Sequence, residues 1–224
     1  MQVDQIMTKV IYLHGFASGP SSKKATAFRN KFYEMGVSLE VPDLEGGDFE
    51  NMTLTSQMNL FSHCIEPFQN RNICVIGSSM GAYLAVLAAQ NNLNIQALYL
   101  MAPGFNFLNR WMQKLSLVQE NEDLWKPIVP IFHYKYGLTK YINTHLFKDA
   151  LIWNKTPLKR NLPTRIVHGI FDEVVPIDES RKFTKNHPYC SLKELNADHG
   201  LLTQIDWIVE DCITYFKNLK FLKK

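Results

Sequence analysis

Short apolar runs alternate with stretches of helical periodicity along most of this chain. The apolar runs have the length and composition of strands, and polar or turn-forming residues separate them from the helical stretches. Six strands are predicted, at residues 9–13, 37–41, 73–76, 95–101, 164–167 and 191–195. Between them, apolar residues recur at helical spacing, as at Met58, Phe61 and Ile65. Because helices separate the strands, the pattern predicts an α/β fold with a mostly parallel six-stranded sheet and helices on both faces.

The segment at residues 104–160 breaks this alternation and is too long for an ordinary loop. Amphipathic stretches at 105–118 and 141–153 predict two helices, which Pro127 and Pro130 separate. We therefore expect a helical cap inserted between the fourth and fifth strands of the sheet.

Aromatic residues are frequent in this cap, and two roles are open for them. Most are expected to pack the cap onto the core, since large apolar side chains are usually buried. The alternative is an apolar pocket for an acyl chain, with Trp111 and Phe132 as the predicted substrate-binding residues. The cap aromatics that could line such a pocket are Trp111, Trp125, Phe132, Tyr134, Tyr136 and Tyr141.

The residues Gly77 to Gly81 form the pattern Gly-x-Ser-x-Gly between a predicted strand and a predicted helix. This context is typical of a nucleophile elbow, a sharp turn that projects a serine beyond the sheet. Glycines two positions before and two after the serine remove side chains that would collide with the neighbouring strand and helix. The spacing puts Ser79 at the apex, and not Ser78, so Ser79 is the predicted nucleophile.

Asp172 and His199 each follow a later predicted strand directly. A serine needs a base to take its proton, imidazole titrates near neutrality, and a carboxylate fixes the imidazole tautomer. The chain order Ser79, Asp172, His199 is that of an α/β-hydrolase and differs from the chymotrypsin and subtilisin orders. The sequence therefore predicts a catalytic triad of these three residues.

Other acids and histidines near these positions receive lesser roles. His168 ends a strand and is expected to be structural, while His187 precedes Pro188 in a loop on the wrong side of the sheet. Asp198 is expected to be solvated or to cap a turn, and Glu173 is the neighbouring alternative to Asp172.

The first predicted strand leads into residues 14–20, His-Gly-Phe-Ala-Ser-Gly-Pro. In this fold an early strand-exit loop supplies one oxyanion-hole N–H, and the residue after the nucleophile supplies the other. The backbone amides of Phe16 and Met80 are therefore the predicted oxyanion hole. His14 is expected to hydrogen-bond the backbone or to touch substrate, and we count it with the substrate-binding residues.

Several motifs in this chain together resemble the YqiA/YcfP-type family of small α/β-hydrolase esterases. The matching segments are residues 14–23, 77–81, 168–176 and 198–199. The resemblance implies serine-dependent hydrolysis of acyl esters or thioesters, with a small-molecule substrate. The triad mechanism needs no metal and no organic cofactor.

The composition is consistent with a small hydrolase and argues against several other classes of protein. A chain of 224 residues with 46% apolar content suits one well-packed domain over residues 1–224. The net charge of +3 is mild and scattered, which argues against a nucleic-acid partner, and no apolar run approaches transmembrane length. The first seven residues lack the features of a signal peptide, and four cysteines without paired spacing suggest a reduced, cytoplasmic protein.

Other activities share the same residues and stay open at this stage. A peptidase, a lipase, an acyltransferase or a cofactor-free haloperoxidase would all use this triad. A silent binding protein for a hydrophobic ligand is the alternative from another class, although an intact Ser, Asp and His set argues against it. A haloalkane dehalogenase is disfavoured because its nucleophile would be Asp where this chain has Ser79.

Overall fold

A computed structural model describes residues 8–117 and 125–223 of the chain. Within these ranges the strands, in chain order, are β1 Lys9–Leu13, β2 Leu39–Glu40, β3 Ile73–Ser78, β4 Ile95–Met101, β5 Ile128–His133, β6 Leu138–Asn143, β7 Thr164–Gly169 and β8 Cys190–Leu195. The α-helices are α1 Lys23–Glu34, α2 Leu54–Ile65, α3 Met80–Asn91, α4 Phe107–Lys114, α5 His145–Trp153, α6 Ile177–Asn186 and α7 Ile205–Asn218.

The main sheet has six strands in the order β2-β1-β3-β4-β7-β8, and every neighbouring pair in it is parallel. The predicted six-stranded sheet is thus confirmed, although its second strand is only two residues long. The strand order reverses between β1 and β3. Ligands of open α/β sheets bind at such a point, outside the carboxyl ends of the strands.

Helices cover both faces of the sheet because alternate side chains of each strand point to opposite sides. From β1, Ile11 and Leu13 join the core shared with α2, α3 and the cap. Val10 and Tyr12 join the second core, which α1 and α7 complete. The central strand β3 is buried along its whole length, as its unbroken apolar run predicts.

The cap differs from the sequence expectation, because a β-hairpin replaces part of the predicted helical structure. The strands β5 and β6 pair antiparallel, and only His145–Trp153 of the second predicted helix is helical. Side chains of β5 alternate between exposed and buried, which is the period of a strand. Pro130 lies within β5 on its exposed side, where a strand of a two-stranded sheet tolerates proline.

The hairpin packs on the loops that follow β1 and β2. The Tyr134 N–H donates to the carbonyl of Ala17 at 2.9 Å. Beneath it, the buried His133 lies 2.8 Å from the Glu45 carboxylate. These contacts hold one end of the cap beside the carboxyl edge of the sheet.

Two parts of the sequence prediction lie outside the described residues: the extension of the first cap helix to Val118, and the N-terminal residues 1–7. In the part of the chain that the structure covers, no helix combines the length and apolar character needed to cross a bilayer.

Candidate active site

Ser79 lies in a strained turn between β3 and α3. Its backbone has φ 53° and ψ −116°, a conformation that residues other than glycine rarely adopt. The turn is held on both sides, because the Ser79 N–H donates to the Met101 carbonyl and the Ser79 carbonyl accepts from the Gly104 N–H, both at 2.9 Å. Backbone strain of this kind is typical of functional sites.

The glycines that flank Ser79 are required by close backbone contacts. A Cβ atom at Gly77 would lie 2.5 Å from the Cα of Ala82. A Cβ atom at Gly81 would overlap the carbonyl oxygens of Leu13 and His14. The collisions expected from the sequence pattern are therefore real, and they come from α3 on one side and the end of β1 on the other.

The strain at Ser79 should affect the stability of variants at this position. We expect Ser79→Gly to unfold with a free energy about 1 kcal/mol higher than Ser79→Ala, because glycine adopts positive φ without strain. Denaturant titration of the two variants measures the difference. As a control, Ala27→Gly in α1 should lower the free energy of unfolding by about 1 kcal/mol, since glycine weakens an ordinary helix. A Ser79→Gly variant less stable than Ser79→Ala would contradict the strain argument.

The structure brings the three predicted triad residues into one hydrogen-bonded line. The His199 Nε2 lies 3.1 Å from the Ser79 Oγ. On the other side of the ring, Nδ1 lies 2.7 Å from the Asp172 Oδ2. The Asp172 side chain is fully buried, while that of His199 is 18% exposed. The carboxylate is therefore shielded from water and the serine end of the line is accessible.

Four donors surround the Asp172 carboxylate. Its Oδ1 accepts the N–H groups of Val174 at 2.8 Å and Val175 at 2.7 Å, and its Oδ2 accepts from both His168 and His199. Burial alone would raise the pKa of Asp172, but the hydrogen bonds from the two histidines and from Val175 outweigh it and hold that pKa well below its usual range. The carboxylate is thus ionised at neutral pH, where it can orient the imidazole of His199 and offset its positive charge.

His168 has a more specific role than the structural one expected from the sequence. Its buried Nε2 lies 3.0 Å from both the Asp172 Oδ2 and the Val175 carbonyl, so the proton of the ring belongs on Nε2. The Ser180 hydroxyl then donates to Nδ1 at 2.7 Å. His168 therefore orients Asp172. The signal in the sequence is a histidine near the end of a strand, four residues before the predicted triad aspartate.

The two predicted oxyanion-hole amides have no acceptor within the parts of the chain that the structure describes. Among the described residues, neither the Phe16 N–H nor the Met80 N–H donates a hydrogen bond. Met80 is the first residue of α3, where helix geometry leaves the N–H without a partner. The loop of Phe16 adjoins the elbow, because a Cβ on Gly15 would lie 3.3 Å from the Cβ of Ser79.

A cavity of about 580 Å³ opens beside this line of residues. Ser79 and His199 form part of its wall, together with α1, the loop after β1, the turn of the cap hairpin and the segments that follow β7 and β8. Its size is that of a site for a small organic molecule. Within residues 8–117 and 125–223, no group of three or more His, Cys, Asp or Glu side chains is placed to hold a metal ion.

The three predicted substrate-binding residues do not line this cavity. His14 is buried, and its Nδ1 donates to the Gly15 carbonyl while its Nε2 accepts from the Leu44 N–H, each at 3.0 Å. Burial lowers the pKa of His14, which keeps the ring neutral in this arrangement. Of the two roles expected for His14, the structure shows the backbone contact.

Trp111 and Phe132 lie on faces of α4 and β5 that do not point into the cavity. The Trp111 ring packs against Phe16 with centroids 5.2 Å apart and against Phe147 with centroids 6.2 Å apart. Phe132 is 52% exposed on the outer side of β5. Trp111 and Phe132 therefore do not form the predicted aromatic pocket, and Trp111 serves to pack the cap. Of the other cap aromatics expected there, Tyr134 does line the cavity.

Two acids beside the line have local partners. The Asp198 Oδ1 accepts the Leu201 N–H at 3.0 Å, which is the turn-capping role expected for it. The Glu173 carboxylate lies 3.4 Å from the backbone N of His199 and does not replace Asp172. Both side chains border the cavity without touching the Ser79 hydroxyl.

Solved structures similar to this chain are α/β-hydrolases. Est1E from Butyrivibrio proteoclasticus, solved with ferulic acid, is 18% identical with a TM-score of 0.80, over 97% of this chain and 91% of that chain. A putative hydrolase from Agrobacterium vitis S4 is 19% identical with a TM-score of 0.80, over 93% and 88%. Alpha/beta hydrolase domain-containing protein 10 from mouse is 18% identical with a TM-score of 0.76, over 94% and 90%.

At these identities the similarity establishes the fold, which is that of the α/β-hydrolases. No curated protein sequence matches the chain. The model of the Uncharacterised protein family (UPF0227) matches residues 9–217, which is most of its length. The chain therefore belongs to this family, the YqiA/YcfP-type family of small α/β-hydrolases that its motifs resemble.

Proposed function

We propose that this protein is a serine hydrolase that cleaves carboxylic esters or thioesters through an acyl-enzyme. The observation that carries the proposal is the line from Ser79 through His199 to Asp172, with hydrogen bonds of 3.1 and 2.7 Å, at the wall of a cavity. Similar structures support an ester substrate, since they include Est1E with ferulic acid and the lipolytic enzymes LipS and LipT.

In the first step His199 removes the proton of the Ser79 hydroxyl as the oxygen attacks the acyl carbonyl. The Nδ1–H of His199 donates to Asp172, so Nε2 carries the lone pair that takes this proton. Negative charge develops on the carbonyl oxygen, where the free N–H groups of Phe16 and Met80 stabilise it. Loss of one such donor typically costs about 3 kcal/mol of barrier.

After the attack, His199 acts first as a general acid and then as a general base. The protonated His199 gives its proton to the leaving alcohol or thiol, and the acyl group stays on Ser79. Water enters, His199 takes a proton from it, and the hydroxide attacks the acyl carbon to release the acid. Asp172 stays ionised throughout and offsets the charge of the imidazolium. No metal and no organic cofactor takes part.

The cysteines bear on where such an enzyme works. Cys64, Cys74, Cys190 and Cys212 are all free thiols. Buried free thiols suit a reducing compartment, where disulfides are rare. We therefore include a cytoplasmic location in the proposal.

Product analysis with 4-nitrophenyl esters and acyl thioesters of graded length tests the reaction type. With methanol added as a competing nucleophile, a hydrolase releases mainly the free acid, whereas an acyltransferase forms mainly the methyl ester. The same assay on Ser79→Ala gives the background. Methyl ester as the main product at low methanol would favour acyl transfer, and binding of esters without any product would favour the binding-protein alternative.

A further inference from the structure

The cavity beside Ser79 contains a lysine whose ammonium has no hydrogen-bonding partner in the described part of the protein. Lys24 is the second residue of α1, lines the cavity and is partly buried. Among the described residues, no hydrogen bond or ion pair engages its ammonium. An unpaired cation at the wall of a substrate cavity is costly to desolvate and is a natural partner for an anion.

The carboxylates of the cavity do not neutralise this charge by contact. Asp198 is occupied with the N–H of Leu201, and Glu173 lies against the backbone N of His199. Two further lysines border the same cavity, Lys23 and Lys135. The cations thus outnumber the anions at the cavity wall, and the anions already have backbone donors.

The surroundings of Lys24 add to its suitability for an anion. The hydroxyl of Ser22 caps α1 by accepting the Ala25 N–H at 3.3 Å, so the positive end of the helix dipole lies beside Lys24. Burial lowers the pKa of Lys24 to about 8, while Asp172 and Asp198 partly oppose that change. The side chain is therefore mostly protonated at neutral pH.

We infer that the substrate is an ester or thioester with a second, anionic group, a carboxylate or a phosphate, which pairs with Lys24 while Ser79 attacks the acyl carbonyl. Lys24 is then a specificity-determining residue of the cavity. This inference rests on the proposed hydrolase function and adds the charge of the substrate to it.

Two matched pairs of substrates test the inference and separate the two sources of negative charge. For a carboxylate on the acyl side, the pair is 4-nitrophenyl hydrogen glutarate and the uncharged 4-nitrophenyl pentanoate. For a phosphate on the alcohol side, the pair is butyryl glycerol 3-phosphate and butyryl glycerol. The quantity compared is the ratio of kcat/KM for the anionic member to that for the neutral member.

We expect the wild-type ratio to exceed one for at least one pair, and Lys24→Met to lower that ratio by about tenfold to a hundredfold, the range for a charge-assisted hydrogen bond. The loss should be mainly in KM, because a contact far from the reacting carbon acts equally in the ground state and the transition state. Lys24→Arg keeps the charge and should retain most of the preference.

Lys31→Met is the matched control, because Lys31 lies on the same helix but pairs with Glu210 and not with the cavity. It should leave the ratio unchanged. A wild-type ratio near one in both pairs, or an unchanged ratio in a folded Lys24→Met, overturns the inference and leaves hydrolysis intact. Absence of Ser79-dependent turnover of every ester instead contradicts the proposed function, and the inference fails with it.

Discussion

Ser79→Ala is expected to lower kcat for ester hydrolysis by about a millionfold, the loss typical of removing the nucleophile from a serine triad. The Ser79 hydroxyl is the group of the elbow that lies within hydrogen-bonding distance of the His199 base, while the backbone that holds it depends on Gly77, Gly81 and the hydrogen bonds to Met101 and Gly104. The variant should therefore stay folded. Steady-state kinetics and circular dichroism measure the two effects.

Ser116→Ala is a matched control for this variant. Ser116 also has a φ of 53°, but it is exposed at the end of α4 and does not line the cavity. It should retain the activity of the wild type. Turnover by Ser79→Ala within tenfold of the wild-type rate would mean that another group performs the attack.

Asp172→Asn is expected to lower kcat by about four orders of magnitude, because it reverses the tautomer of His199. The N–H groups of Val174 and Val175 both point at one oxygen of the side chain, so an asparagine keeps its oxygen there. Its NH₂ group then faces the Nδ1 of His199, which must become an acceptor. The proton of the imidazole moves to Nε2, and the base for Ser79 is lost.

Circular dichroism and kinetics together separate this explanation from a loss of folding. A histidine in the wrong tautomer leaves a folded protein that has low activity near neutral pH. Asp178→Asn is the control, since Asp178 is exposed in α6 and pairs with Arg181 and not with the residues of the triad. A fall of less than tenfold in Asp172→Asn would contradict the tautomer argument.

The parts of the site that the sequence predicts are those with strict local requirements. A serine at positive φ needs glycines at fixed positions, so the elbow is visible as a five-residue pattern. Asp172 follows β7 and His199 follows β8, and parallel strands bring their carboxyl ends to one edge. The sheet itself is visible because its strands are short apolar runs between amphipathic helices.

The parts that the sequence does not predict depend on contacts between distant segments. The hairpin β5–β6 contains Pro130 and exposed aromatics, and its strand period becomes clear only when Val129 and Ile131 are seen buried. The turn that joins its strands contains Gly137 at a φ of 65°, a signal for a hairpin that the helical interpretation passes over.

The same limit applies to the residues around the cavity. The faces that Trp111 and Phe132 present depend on the packing of α4 and of the hairpin, which no local pattern specifies. Lys24 has an ordinary helical environment in the sequence, and it becomes part of the site only because α1 begins beside the switch point of the sheet. Which residues face the substrate therefore depends on the tertiary structure, and the local sequence does not specify it.

The most direct test of the account is labelling with a fluorophosphonate probe, followed by mass mapping of the modified peptide, in the wild type and in His199→Ala. The probe forms a bond only with a serine whose proton a nearby base removes. The account predicts one label per chain, on Ser79, and loss of that label without His199. A label on another residue, a label on Ser79 that persists in His199→Ala, or a folded wild-type protein that takes no label would contradict it.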